Sequence, residues 1–161
     1  MDCDCVRLNW VCYGDNNVID KKYVSVLETF TEPAAINCIF NDTLPTGVTE
    51  NMHTKYIVRK TWKNTSLGIH FPQIQFGIVH NAAGDIVKND SAFLPINYTN
   101  GCVKHFITKS TKDYIERRFG TYDACGVKRD DLEKLKRFYF NLNNQDKQKE
   151  ELFNKFIKGG K

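Results

Sequence analysis

His105, in the run Cys102-Val103-Lys104-His105-Phe106-Ile107-Thr108-Lys109-Ser110, is the ionisable residue best placed for chemistry, because it shares a strand face with Val103 and Ile107 and lies just before a helix start. A helix amino end presents N–H groups and favours negative charge, so a phosphate or metal-phosphate group suits that position. Lys104, Lys109 and the free amides near Ser110 to Lys112 add positive potential, or form no more than a solvated edge. The plain alternative is a core histidine bonded to backbone. Asp15 sits in the loop that closes the first strand, where an exposed carboxylate could act as a general base; Gly14-Asp15-Asn16 reads equally well as turn chemistry. Trp10, Tyr13 and Trp62 could stack on sugar rings or fill a core. His53, Lys55 and Arg59 lie on alternate residues of one strand face and could meet a phosphate, or simply guard a solvent-facing edge. Asp2-Cys3-Asp4 is a D-x-D triplet whose oxygens could hold Mg²⁺ or Mn²⁺, although no apolar strand precedes it. His53, His70 and His80 form no zinc spacing with Cys38 and Cys102. No P-loop, G-x-G-x-x-G, nucleophile elbow or kinase signature is present.

The elements that would carry these residues follow from periodicity. Val6 to Cys12 alternates, with Val6, Leu8, Trp10 and Cys12 on the apolar face and Arg7, Asn9 and Val11 opposite, which predicts a half-buried strand ending at the turn Tyr13-Gly14-Asp15-Asn16-Asn17. Residues 21–30 predict a short helix with Asp20 as N-cap, stopped by Pro33. Residues 37–51 read as a connecting loop with at most a short strand at 38–40. Residues 55–60 and 73–80 are β-branched and aromatic, and 81–85 reads as a hairpin turn, so 55–94 is a small β region. Residues 102–108 predict another strand. Ser110 then caps a helix with Asp113 completing the box, and Gly120 ends it. Two amphipathic helices follow, at 130–142 with Leu132, Leu135, Phe138 and Leu142 in one stripe, and at 146–158.

The chain has 161 residues, 41% hydrophobic and 26% charged, with 10 Gly and 4 Pro, which excludes disordered, collagenous and coiled-coil classes. No apolar run approaches the roughly 18 residues that span a bilayer, and the start lacks a signal peptide's basic and apolar segments. The expectation is a cytoplasmic chain. The 6 cysteines include no C-x-x-C pair and are expected as free thiols. Four N-x-(S/T) triplets carry no weight without secretion. Net charge is +4, but from Lys104 onward 15 Lys or Arg face 9 Asp or Glu, so the last third is the basic part. The expected fold class is α/β, a mixed sheet with flanking helices and a helical C-terminus. The chain opens directly on a strand with no β-α-β series before it, so it reads as the second half of a larger α/β domain.

Four blocks in order carry a family resemblance: Trp10-Val11-Cys12-Tyr13-Gly14-Asp15-Asn16; Leu27-Glu28-Thr29-Phe30-Thr31; His53-Thr54-Lys55-Tyr56-Ile57-Val58-Arg59; and Lys104-His105-Phe106-Ile107-Thr108-Lys109-Ser110 with Asp113-Tyr114-Ile115 and Arg118-Phe119-Gly120. Together they resemble the second half of bacterial glycosyltransferases of the family 2 and family 92 type. The resemblance covers about residues 5–125, giving a transferase-like region at 1–125 and a basic helical extension at 126–161. It implies a GT-A fold that transfers a hexose from a UDP-sugar donor to a glycan acceptor in surface polysaccharide synthesis, with inversion. It also implies a Mn or Mg cofactor, with His105 completing the metal or diphosphate site and Lys104, Lys109, Ser110 and Lys55 near the donor. Asp15 would be the base, and Trp10 and Tyr13 would approach the sugars. No specific nucleic acid is implied, while the basic C-terminus allows peripheral association with the inner membrane face and the open sheet allows a homo-oligomer. The rival expectations are a non-catalytic basic binding module, which would dock on an anionic partner, and an assembly half-domain.

Overall fold

The computed structural model describes residues 3–41, 43–59, 65–74, 77–123 and 126–159, so Asp2, Trp62, Cys125 and the middle of the 73–80 strand lie outside the described residues. The protein is mixed α/β, with a mixed sheet and, among the described residues, four α-helices. It divides into two compact units, one made of Met1–Val11 and Leu44–His105, the other of Cys12–Thr43 and Phe106–Lys161. The residues after 125 share a unit with those from Phe106 onward. No helix among the described residues is long and apolar enough to cross a membrane.

β1 (Cys5–Tyr13) is the central strand. β2 (Thr54–Val58) pairs with it antiparallel, from Cys5 opposite Val58 to Asn9 opposite Thr54. On its other edge β1 pairs with β5 (Val79–His80), in parallel, and with β6 (Val103–Phe106). β3 (Thr65–Leu67) and β4 (Pro72–Ile74) form a separate antiparallel pair. The turn after β5 is closed by Asn81, whose N–H donates to the Asp85 carbonyl while its Oδ1 accepts from Ala83 and Asp85, as the hairpin reading expected.

The faces of β1 differ from the alternation. Arg7 and Asn9, expected toward solvent, are both 0% exposed, whereas Val6 and Leu8 are only half-buried. Hydrogen bonding explains it. The Arg7 guanidinium donates to Thr54 Oγ1 at 2.7 and 3.1 Å and to the Ser91 carbonyl at 2.6 Å. Asn9 Nδ2 reaches the carbonyls of Asn51, Met52 and Leu94, and its Oδ1 accepts from Asn97 N–H. A polar side chain buried with its partners made is cheap, and here it also satisfies loop carbonyls that the sheet leaves open.

In the second unit, α1 is a single turn (Val26–Thr29) capped by Ser25, not the longer helix starting at Asp20. The backbone just upstream is committed elsewhere: the carbonyls of Val18 and Ile19 accept from Thr111 and Lys112 N–H. Residues 38–40 form no strand. α2 (Thr111–Arg118) begins as expected, with Ser110 Oγ accepting from Asp113 N–H at 3.1 Å, and Gly120 takes the left-handed conformation (φ +77°) just past its C-cap. α3 (Leu132–Leu142) is capped by Asp131 and buries Leu132, Leu135 and Tyr139; Phe138, expected in that stripe, is half-buried at its margin. α4 (Lys147–Gly159) buries Phe153 and Lys149. The rings of Tyr114, Tyr139, Phe140 and Phe153 meet at 5.1–6.4 Å and form the centre of this unit's core.

Candidate functional site

In the first unit, β1 brings Trp10 into a group of imidazoles. Its ring lies 3.8 Å from that of His105 on β6, 4.7 Å from His53 in a stacked arrangement, and 5.2 Å from His70. Lys55 Nζ stands 5.9 Å from the indole and donates to the Ile69 carbonyl at 2.7 Å. Trp10 is 7% exposed, so its faces are occupied by these side chains and offer no platform to a sugar. His105 is half-buried against that indole, and Lys104 is exposed. Burial lowers the proton affinity of His53, as does nearby Lys55; burial first, then His53, Lys55 and Arg7, lower that of His70. Both rings are neutral at pH 7. Asp4, the described half of the D-x-D triplet, accepts from Ile78 N–H at 3.0 Å. Arg59 is exposed and its N–H closes onto the Asp4 carbonyl.

Among the described residues no three His, Cys, Asp or Glu side chains gather to hold a metal ion. His105, set against an indole, does not by itself make the metal centre the family resemblance implies.

In the second unit the expected exposed base is a buried ion pair. Asp15 is 3% exposed, and its Oδ2 lies 2.6 Å from the ammonium of Lys149, itself 0% exposed. The hydroxyl of Tyr139 also donates to Oδ2, and Asn17 N–H donates to Oδ1 at 3.0 Å. Tyr139 exchanges a further bond with Thr111 Oγ1 at 2.7 Å. Burial and the Asp15 charge push the Tyr139 phenol far above its ordinary range, so it stays a donor. Lys149 reaches Asn17 Oδ1, the Asn144 carbonyl and the Asp146 carboxylate. With all its neighbours engaged, Asp15 works as a clasp among the first loop, α3 and α4. A polar cavity of about 130 Å³ lies beside it, lined in part by Asn17, Glu32 and Asn143.

The start of α2 is likewise filled. Thr111 and Lys112 N–H are taken by Val18 and Ile19, and Asp113 N–H by Ser110 Oγ, so these three amides present no donor to a diphosphate. Ser110 is buried, Lys109 adopts φ +56°, and the Asp113 carboxylate at this end is bonded by the Tyr23 hydroxyl. Tyr13 is buried against Phe106, ring centroids 4.9 Å apart. Ser110 and Tyr13 are thus structural in their contacts, for the common reason that their polar or aromatic atoms are already used.

Sequence reasoning passed over Arg7, Asn9, Tyr139 and Lys149. A usable signal existed for the last two: Lys149 stands in register with Leu152, Phe153 and Phe156, and Tyr139 continues Leu132 and Leu135 at helical spacing. A separate open groove of about 390 Å³ on α3 is lined by Lys136, Arg137, Phe140, Asn141, Glu133 and Gln145. Compared with models of known protein families, with curated proteins and with solved structures, the chain matches none.

Proposed function

We propose that this chain serves a nucleotide-sugar glycosyltransferase of the GT-A type, a family whose second half its four blocks resemble. The observation that supports this reading is the convergence of the four sequence blocks. Trp10 of the first block stacks on His53 of the third and meets the tilted ring of His105 of the fourth. In the other unit, Tyr13 of the first block and Phe30 of the second both meet Phe106 of the fourth, at 4.9 and 6.4 Å. In this reading Lys104 and His105 face the donor side, where cations offset the charge of the leaving UDP. The acceptor's proton goes to a base other than Asp15, whose carboxylate Lys149 holds. The test is thermal shift with UDP, with and without Mn²⁺, on this chain and on a version extended upstream, together with donor turnover in the His105→Ala variant. Stabilisation by UDP in either form, and strongly reduced turnover without loss of fold, support the proposal; no response to UDP in both overturns it.

A second reading, a non-catalytic basic module, is favoured by a different observation: the groove on α3 is open and carries Lys136 and Arg137, whereas Asp15 and the α2 amides are already engaged. Salt-sensitive oligonucleotide binding with no response to UDP and Mn²⁺ would select it.

A further inference from the structure

The array around Trp10 contains more imidazole than packing alone requires. Trp10, His53 and His70 form a closed triangle, with the two imidazoles 4.9 Å apart, and Phe93 packs edge-on to His53 at 4.7 Å. The tautomers follow from the backbone. His53 Nδ1 lies 3.1 Å from the Glu50 carbonyl and His70 Nδ1 lies 3.2 Å from the Thr54 carbonyl, so each neutral ring donates there and keeps its lone pair on Nε2. Trp10 Nε1 has no acceptor among the described residues, so the indole itself is held by ring contacts, while the Trp10 backbone N–H donates to the His53 carbonyl at 2.9 Å.

The charged surroundings are uneven. Glu50, in the short 3₁₀ turn Glu50–Met52, approaches His53 Nδ1 at 3.4 Å. Against it stand Lys55 of β2 and Arg7 of β1, with the ring of His105 of β6 3.8 Å from the indole. One imidazolium on an indole face is tolerated, because the ring's quadrupole attracts a cation. Two imidazolium groups 4.9 Å apart beside Lys55 and Arg7 are not, since their mutual repulsion is only partly screened in a half-buried site.

We infer that this array is an acid-sensitive fastening of the first unit: at neutral pH it clamps segments 50–56 and 68–71 onto Trp10, and proton uptake by His53 and His70 in mild acid releases them. The direction follows from linkage. Both rings bind protons less readily when packed than when free, so the fastening is intact above the free value of 6.5 and weakens as pH falls below it. Each proton that the released form binds in excess shifts the opening constant by up to about tenfold per pH unit, so two coupled sites give up to about a hundredfold.

The experiment uses Trp62→Phe, which leaves Trp10 as the single indole, and follows its emission together with amide exchange in 50–56 between pH 8 and pH 5. The expected result is a red shift and a loss of protection below about pH 6.5, steeper than one proton allows. The same measurement on His53→Gln/His70→Gln should show little pH dependence over that range, and His80→Gln should retain the full dependence. If the double variant fails to fold, His70→Phe keeps the ring contact and should reduce the steepness to that of one proton or less. Emission and exchange unchanged to pH 5, or a His70→Phe profile as steep as that of the parent, would overturn the inference.

Discussion

Replacing Lys149 by Met tests the clasp in the second unit directly. Met keeps most of the side-chain length and fills the same volume, so the change removes charge rather than packing. It strands the Asp15 carboxylate at 3% exposure with the Tyr139 hydroxyl and Asn17 N–H still bonded but no counter-charge at 2.6 Å. Breaking one side of a buried pair costs about 3–5 kcal/mol, and the two surviving hydrogen bonds put this case near about 3. Asp15→Asn should cost less, about 2 kcal/mol, because Asp146 still stands 3.4 Å from the Lys149 ammonium. Combining the two removes both charges, and the double variant should be less destabilised than the sum of the singles by at least about 2 kcal/mol. The assay is urea unfolding followed by far-ultraviolet circular dichroism, which reports the helices of this unit. In thermal melts the Lys149→Met variant should lose roughly 6–12 °C, at about 2–4 °C per kcal/mol for a chain of this size. A Lys149→Met protein within about 0.5 kcal/mol of the parent, or single-variant costs that simply add, would refute the assignment of Asp15 as a structural anchor.

Arg7→Met should destabilise the first unit by about 2–3 kcal/mol, because it leaves Thr54 Oγ1 and the Ser91 carbonyl without their donor; Arg7→Lys should recover little of this in urea unfolding, since an ammonium cannot span both acceptors in the same fork. Gly14→Ala would place a Cβ 2.5 Å from Asn143 Oδ1, the acceptor of Asp15 N–H, so thermal unfolding should report a loss of about 1–3 kcal/mol. Burial, the largest influence, pushes the Cys5 thiol up to about 11, so Cys5 should resist alkylation at pH 8 while exposed Cys102 reacts, as peptide mapping by mass will reveal.

Local signals in the sequence located β1, β6 and α2–α4, and the Ser110 cap and Gly120 stop matched because each is decided within a few residues. The face of β1 was misread because burial there depends on acceptors far along the chain: Arg7 bonds to residues 47 and 84 positions away. Alternation measures side-chain polarity and is blind to such partners. The helix expected at 21–30 shrank to one turn for a similar reason, since Val18, Ile19 and Tyr23 serve α2 instead. Asp15 was visible as a carboxylate at a loop, yet its chemistry was set by Tyr139 and Lys149, whose helices carry apolar stripes that drew attention to their hydrocarbon neighbours alone.

Asp15 and Asn143 are 128 residues apart in the chain. At about 5–20 residues per second, a ribosome delivers the second of them roughly 6–26 s after the first. During that interval the nascent loop at 14–17 has neither its amide acceptor nor its ammonium, and the strand leading into it must wait in an incomplete state. The clasp on Asp15 therefore closes only after α4 emerges, and holding factors acting on the early segment would have a window of seconds in which to do so.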